Sequence, residues 1–173
     1  MDKTNLLLYK NIFPQVDNEA FIAKGAYIIG DVIIEANSGI WFNSVVRGDM
    51  SHIRIGKYSN IQDNSTIHTL QDQPTVIGDY VTVGHNAILH SCRVGDNCII
   101  GMGSIILSYS EIGENCIIGA GTVISERRKI PPNSVVMGSP SKILRTVTEK
   151  DIEVIHHLAV MYSEKAQSYL LNL

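Results

Sequence analysis

Aliphatic side chains recur at every sixth position over most of this chain, and that period limits the folds open to it. A helix repeats near 3.6 residues and a half-buried strand near 2, so neither accounts for the pattern. A parallel β-solenoid does, because each hexad forms one short strand whose aliphatic side chain points into a narrow core, while glycine or a small residue turns the corner. Three hexads then complete a coil of about 18 residues, and coils stack about 4.8 Å apart. The aliphatic positions fall into four registers: Ile22, Ile28, Ile34, Ile40 and Val46; Ile55, Ile61 and Ile67; Ile77, Val83 and Leu89; Val94, Ile100, Ile106, Ile112, Ile118 and Ile124.

The repeat ends in the segment PPNSVVMGSP, residues 131–140, where proline and glycine redirect the chain. We therefore predict an all-β solenoid domain over residues 1–140, followed over residues 141–173 by a turn and an α-helix that packs on the solenoid. Thr148 and Asp151 resemble a capping box at the start of this helix. Within the solenoid, Cys98 and Cys116 lie one coil apart, which predicts core packing rather than redox or metal chemistry.

The charge composition narrows the choice of partners. Fourteen lysines and arginines oppose seventeen aspartates and glutamates, for a net charge of −3, and no block of like charge occurs. This argues against nucleic acid or an anionic membrane surface as the main partner. No apolar run approaches the roughly 18 residues of a membrane span, and the N-terminus does not resemble a secretory signal. We expect a cytoplasmic protein that acts on a small molecule.

Three histidines occupy related places in the repeat. His68 and His90 each follow an inward aliphatic residue, and their separation equals one coil plus four extra residues of the loop at 69–75, so their side chains should stack on one edge. His85 comes two residues after Val83, on the preceding face, and points away from that pair within one chain. A second copy alongside would bring its own His85 to the pair, and threefold closure would repeat the contact. Three neutral imidazoles with an open fourth position suit catalytic zinc, and also iron or cobalt; the alternative is three unrelated surface histidines.

Three segments carry a resemblance to a known family: WFNSVVRGDMSHIRIG, NIQDNSTIH and VGHNAILHSC, which together span residues 41–92. Their order and spacing resemble the γ-class carbonic anhydrases, which are left-handed parallel β-helices of hexapeptide repeats. The resemblance implies a homotrimer that binds Zn²⁺, or Fe²⁺ or Co²⁺, through His68 and His90 of one chain and His85 of its neighbour. It also implies reversible hydration of carbon dioxide to bicarbonate by a metal-activated hydroxide.

The same resemblance suggests further site residues. Arg47 and Asp49 match an arginine and an aspartate at the subunit interface beside the metal, where an ordinary ion pair between subunits is the alternative role. Gln62 is placed to hydrogen-bond the metal's water, and Asp63 to orient either a histidine or Arg47. Tyr162 is the polar-tipped residue on the buried side of the helix, with packing as its alternative role.

This chain departs from the best-studied members of the family where they carry two glutamates. Met50 stands at one of those places, and the short loop at 69–75 replaces the other, so the group that passes the proton to solvent is not evident. Asp72 and His52 are candidates. The departure also leaves the rate of turnover open, and metal binding is therefore a firmer expectation than fast hydration.

Two competing functions remain open. VVMGSPSKILR resembles the segment after the repeat in CoA-dependent acyltransferases of the same fold, although that chemistry uses one histidine as a base and assigns no role to the RGD and QD segments. A catalytically weak assembly subunit would retain the trimer and the metal. Elemental analysis for bound metal separates the acyltransferase from the other two.

Overall fold

The computed structural model describes residues 5–172 as a parallel β-solenoid with one C-terminal helix. Along the chain its elements are β1 (Leu6–Leu7), β2 (Gln15–Val16), β3 (Phe21–Ile22), β4 (Tyr27–Ile34), β5 (Gly39–Ile40), β6 (Val45–Ile55), β7 (Asn60–Ile61), β8 (Thr66–His68), β9 (Thr75–Ile77), β10 (Thr82–Val83), β11 (Ile88–His90), β12 (Arg93–Val94), β13 (Ile99–Ile100), β14 (Ile105–Ile106), β15 (Glu111–Ile112), β16 (Ile117–Ile118), β17 (Val123–Ile124), β18 (Lys129–Ile130), β19 (Ser134–Met137), β20 (Lys142–Thr146) and α1 (Glu149–Asn172).

Three faces run along the solenoid, and we name each by what it carries. The histidine face contains residues 45–47 of β6 with β8, β11, β14 and β17. The charged face contains residues 53–55 of β6 with β9, β12, β15 and β18. The helix face contains β3, β5, β7, β10, β13, β16 and β19, and α1 packs against its first four strands.

Strand register confirms the predicted coil. Val94 pairs with Ile112 and Ile112 with Ile130, so successive coils align residues 18 apart. The predicted inward aliphatics are buried in one continuous cluster, except for Ile22, which is partly buried and packs against it. Each fully buried isoleucine stabilises the fold by about 1.5–3 kcal/mol relative to exposure, so the stacked aliphatics are what hold the coils together.

Corners between the faces use backbone conformations that few residues adopt. Asn64 and Asn86 have φ of 60° and 58°, in the left-handed region that asparagine tolerates better than most side chains. Gly101 follows the inward Ile100 at another corner, where a Cβ atom would lie 2.4 Å from the backbone nitrogen of Ala120 in the next coil. Close approach of the two coils therefore requires glycine at this position.

The predicted capping box forms at the start of α1. The Thr148 hydroxyl accepts a hydrogen bond from the Asp151 amide at 3.3 Å, and the Asp151 carboxylate accepts one from the Thr148 amide at 2.8 Å. Arg145 donates to both carboxylate oxygens of Asp151 at 2.6 and 3.1 Å. Those bonds from Arg145, together with the ones from Thr148, hold the pKa of Asp151 well below its usual range.

An aromatic cluster attaches α1 to the first coils of the helix face. Trp41 packs edge-on against Phe21, Tyr162 and Tyr169, with ring centroids 5.2, 5.4 and 5.6 Å apart, and Ala166 is buried among them. The helix therefore covers this part of the solenoid, as its apolar spacing predicts. No helix within residues 5–172 is long and apolar enough to cross a membrane.

The segment before the helix is more ordered than the expected turn. Strand β20 runs antiparallel to β19 and extends the helix face at the C-terminal end of the solenoid. A last parallel strand would otherwise expose a row of unpaired backbone groups, and the hairpin satisfies them. The domain division at residue 140 stays a prediction.

Cys98 and Cys116 pack in the core as predicted, and Cys92 is buried as well. Cys92, Cys98 and Cys116 are free thiols buried in the core, and the Cys116 amide donates to Cys98 Sγ at 3.3 Å. Burial raises the pKa of Cys92 to about 12, so its thiol stays protonated at neutral pH.

Candidate metal centre

His68 and His90 end adjacent strands of the histidine face and pair directly in register. His68 Nδ1 lies 3.2 Å from His90 Nε2, and the ring centroids are 5.2 Å apart. The stacking of the two imidazoles on one edge, predicted from their hexad positions, is confirmed.

The other ring nitrogen of each histidine contacts a side-chain oxygen atom. His68 Nε2 lies 3.0 Å from Asp49 Oδ1, and His90 Nδ1 lies 2.9 Å from the Ser108 hydroxyl. Asp49 also accepts a hydrogen bond from Arg47 at 2.5 Å, and Arg47 pairs in register with His68. Each imidazole is thus oriented by an oxygen on one side and faces its neighbour on the other.

This arrangement sets the charges of the cluster. Burial alone would raise the pKa of Asp49, but hydrogen bonds from His68 and Arg47 outweigh it and lower that pKa. Burial lowers the pKa of His90, and the charges of His68 and Arg47 lower it further. Near neutral pH the cluster therefore combines a carboxylate at Asp49 with a neutral imidazole at His90, the form of histidine that binds metals.

A tetrahedral ion with metal–nitrogen bonds of about 2.0–2.1 Å separates two ligand nitrogens by about 3.3–3.4 Å. The 3.2 Å between His68 Nδ1 and His90 Nε2 fits that edge. If the proton on Nε2 of His90 is absent, two lone pairs face each other, which favours a cation between them. The oxygens of Asp49 and Ser108 behind the rings are typical of groups that orient metal-binding imidazoles.

His85 belongs to a different corner, between the helix face and the histidine face. Strands β7 and β10 pair in register, so Asp63 and His85, each two residues beyond the paired Ile61 and Val83, come together. Their His85 Nδ1 to Asp63 Oδ2 distance is 2.7 Å. Within residues 5–172 of one chain, no three histidine, cysteine or acidic side chains gather as a metal site.

Two other predicted site residues join His85 and Asp63. Gln62 is buried, at 4% exposure, and donates to the Asn60 side chain at 3.2 Å. Tyr162 of α1 hydrogen-bonds Gln62; burial raises its pKa, the nearby charge of Asp63 adds to that effect, and the bond from Gln62 opposes it. The structure therefore divides the predicted residues into two sets, which we call the His68 cluster (Arg47, Asp49, His68 and His90) and the His85 cluster (Gln62, Asp63, His85 and Tyr162).

Sequence reasoning missed Ser108, which holds the second nitrogen of His90. The spacing of the two residues would have predicted this contact, because Ser108 follows His90 by 18 residues and so lies one coil further along the same edge.

The chain as a whole matches known proteins. The bacterial transferase hexapeptide family (six repeats) matches residues 74–108 and 91–126. A protein of Methanocaldococcus jannaschii named as a probable carbonic anhydrase is 54% identical over 86% of this chain and 95% of its own. The mitochondrial gamma carbonic anhydrase 1 of Arabidopsis thaliana is 40% identical over 92% of this chain and 61% of its own. A Bacillus cereus structure described as a candidate acetyltransferase is 44% identical and superposes with a TM-score of 0.93 over 95% of both chains. With these identities over most of its length, and with the repeat register seen in the structure, the chain belongs to the γ-class carbonic anhydrase family of hexapeptide-repeat, left-handed β-helix proteins.

Proposed function

We propose that this protein is a metal-dependent carbonic anhydrase that reversibly hydrates carbon dioxide to bicarbonate at the subunit interfaces of a homotrimer. One observation carries the proposal: two imidazole nitrogens face each other at 3.2 Å, and an oxygen holds each opposite nitrogen. A histidine that acts as a general base, or one that merely lies on the surface, does not require a second imidazole facing it. The names of the Methanocaldococcus jannaschii and Arabidopsis thaliana relatives support the same reaction.

His68 and His90 would hold the metal from one side, and the partner's copy of His85 from the other. The donor set suits Zn²⁺, Fe²⁺ or Co²⁺. A divalent ion bound by three imidazoles acidifies water and so supplies hydroxide for the attack on carbon dioxide at neutral pH. Asp63 Oδ2 lies 2.7 Å from Nδ1 of His85, which leaves Nε2 available to a second chain.

Other side chains of the His68 cluster position these ligands. Asp49 holds the His68 ring so that Nδ1 faces His90, and its ion pair with Arg47 keeps the carboxylate in place. Arg47 is partly exposed beside His68 and is positioned to attract the bicarbonate anion. In the His85 cluster, Gln62 and Tyr162 provide polar groups on the side of the site that the partner would contribute.

The outer surface of the solenoid supports the trimer. α1 covers much of the helix face, and charged side chains stack on the charged face. The outward column of the histidine face is instead mostly apolar, and Ile88 in it is 41% exposed. The two clusters lie at opposite edges of this face. A copy packed against it would bury the apolar column and join the two halves of the site. The outward column consists of Val45, Thr66, Ile88, Ile105 and Val123.

Metal analysis combined with carbon dioxide hydration tests the proposal. Protein purified anaerobically should sediment as a trimer, bind close to one metal per chain, and hydrate carbon dioxide in stopped flow when loaded with zinc or ferrous iron. His68→Ala should lose metal and activity, whereas His157→Ala, an exposed histidine on α1, should lose neither. A monomer with stoichiometric metal would contradict the shared site, and a metal-loaded trimer without hydration would indicate an assembly role.

A CoA-dependent acyltransferase is the second candidate, and two observations favour it. The Bacillus cereus relative is described as a candidate acetyltransferase. A largely apolar cleft of about 320 Å³ also lies between α1 and the helix face, bordered at one end by Gln62 and Tyr162. His85 with Asp63 would then act as the general base. Acetyl-CoA turnover by metal-free protein would support this function, and its absence beside metal-dependent hydration would exclude it.

A further inference from the structure

We propose that Asp31 and His52 form the route by which the proton of the hydration reaction leaves the site. The inference rests on the proposed function, because hydration converts carbon dioxide and water into bicarbonate and one proton. That proton must reach a buffer base before the next turnover. The sequence leaves its carrier open, and the geometry of the first coils points to this pair.

Asp31 lies one coil before Asp49. Gly30 pairs in register with Gly48, and an aspartate follows each of them. Strands β4 and β6 approach each other so closely here that a Cβ atom on Gly48 would lie 2.3 Å from the backbone oxygen of Asp31. The register shifts between Gly30 and Val32, so Asp31 lies where the pairing of β4 with β6 is irregular, with its backbone against Gly48.

A cleft of about 210 Å³ opens beside these two aspartates. Asp31 and Asp49 both line it, together with Met50, Lys10 and Tyr9. Water occupies about 30 Å³ per molecule, so the cleft has room for several. It borders both the residue that contacts His68 and the residue that contacts His52.

His52 continues this connection to solvent. Its Nδ1 lies 3.1 Å from Asp31 Oδ1, and the two side chains are 35% and 41% exposed. An exposed imidazole can accept a proton on a ring nitrogen and release it to a buffer base. The pair thus lies with one member on the cleft and the other next to it in contact with solvent.

Several other described groups near the site do not offer this route. Met50 lines the cleft but carries no exchangeable proton. Asp72 accepts hydrogen bonds from the Tyr109 hydroxyl at 3.0 Å on both of its oxygens. Asp63 is paired with His85.

The step balances without a further reactant. Water in the cleft relays the proton released by hydration to the Asp31–His52 pair, which becomes a carboxylate–imidazolium pair, and the relaying water is left unchanged. One proton then passes from the exposed imidazole of His52 to a buffer base, and the pair returns to its starting charge.

Buffer dependence of the metal-loaded trimer tests this role. In dilute buffer that contains no imidazole, we expect His52→Ala to lower kcat by about tenfold or more, with kcat/KM for carbon dioxide unchanged. Added imidazole should restore kcat, because a diffusing base replaces the missing side chain. Asp31→Asn should lower kcat in the same direction but less. His157→Ala is the matched control, and elemental analysis should find wild-type metal content in every variant.

The outcomes separate this inference from the function on which it rests. A wild-type trimer that binds metal but does not hydrate carbon dioxide would refute the proposed function and the proton route together. Wild-type hydration with an unchanged kcat for His52→Ala in dilute buffer would refute the route alone. A joint fall of kcat, kcat/KM and metal content, without rescue by imidazole, would show that His52 is only structural and would also overturn the inference.

Discussion

Two inactive variants of this protein should restore metal binding to each other, because the proposed site is divided between chains. His90→Ala removes one of the two facing nitrogens of the His68 cluster and leaves His85 intact. His85→Ala removes the partner's ligand and leaves the facing pair intact. Either homotrimer alone lacks a third imidazole at every interface and should bind metal poorly.

The extent of the recovery follows from the geometry of a ring. An interface is complete where a His85→Ala chain supplies the facing pair and a His90→Ala chain supplies His85. Every trimer that contains both variants has one such interface, so purified mixed trimers should hold about a third of the wild-type metal. Random assembly from equal amounts yields mixed trimers in about three of four cases, so the unfractionated mixture should regain roughly a quarter.

The assay needs two affinity tags and a matched control mixture. Co-refolded variants with different tags are purified over both resins, and their metal is measured by elemental analysis. The control combines His68→Ala with His90→Ala, whose losses fall in the same half of the site, so no interface can contain a complete pair. Recovery in the control as well as in the test mixture would refute the division between chains. No recovery in verified mixed trimers would place all three ligands in one chain or exclude these histidines as the site.

Three further predictions concern the fold. Gly101→Ala should destabilise the protein more than Gly103→Ala. An added Cβ would lie 2.4 Å from a backbone atom at Gly101, whereas at Gly103 it has nothing within 4 Å and meets only the backbone strain of a φ of +67°; melting temperatures check this, and equal shifts would contradict it. Ile61→Ala should cost about 2–5 kcal/mol and Ile61→Val about 0.5–1.5 kcal/mol in denaturant unfolding, because the side chain is fully buried; a cost near zero for Ile61→Ala would contradict the stacked core. The lowered pKa of Asp151 means that its bonds stabilise the protein above the ordinary carboxyl pKa, and that this stabilisation is lost as pH falls through the lowered value. Asp151→Asn should therefore be less stable than wild type at pH 7, and the difference should shrink below about pH 4; a constant difference would contradict this account.

The sequence by itself determined the repeat, the length of the coil and the stacking of His68 on His90. In a solenoid each coil contacts only its neighbours, so a fixed separation along the chain corresponds to a fixed displacement in space. The same rule placed Cys98 beside Cys116, and it would have found Ser108 beside His90. Few proteins allow distances between side chains to be read from spacing so directly.

Tertiary structure decided the contacts between side chains at the corners. The sequence left Asp63 to orient either a histidine or Arg47, and the structure pairs Asp63 with His85 and Arg47 with Asp49. These contacts depend on the path of the backbone where each strand ends and the chain turns to the next face. Strand β6 continues through such a corner without a break, which the six-residue repeat does not predict. The sequence analysis also did not predict strand β20, because this strand covers a sheet edge that exists only after the coils have stacked.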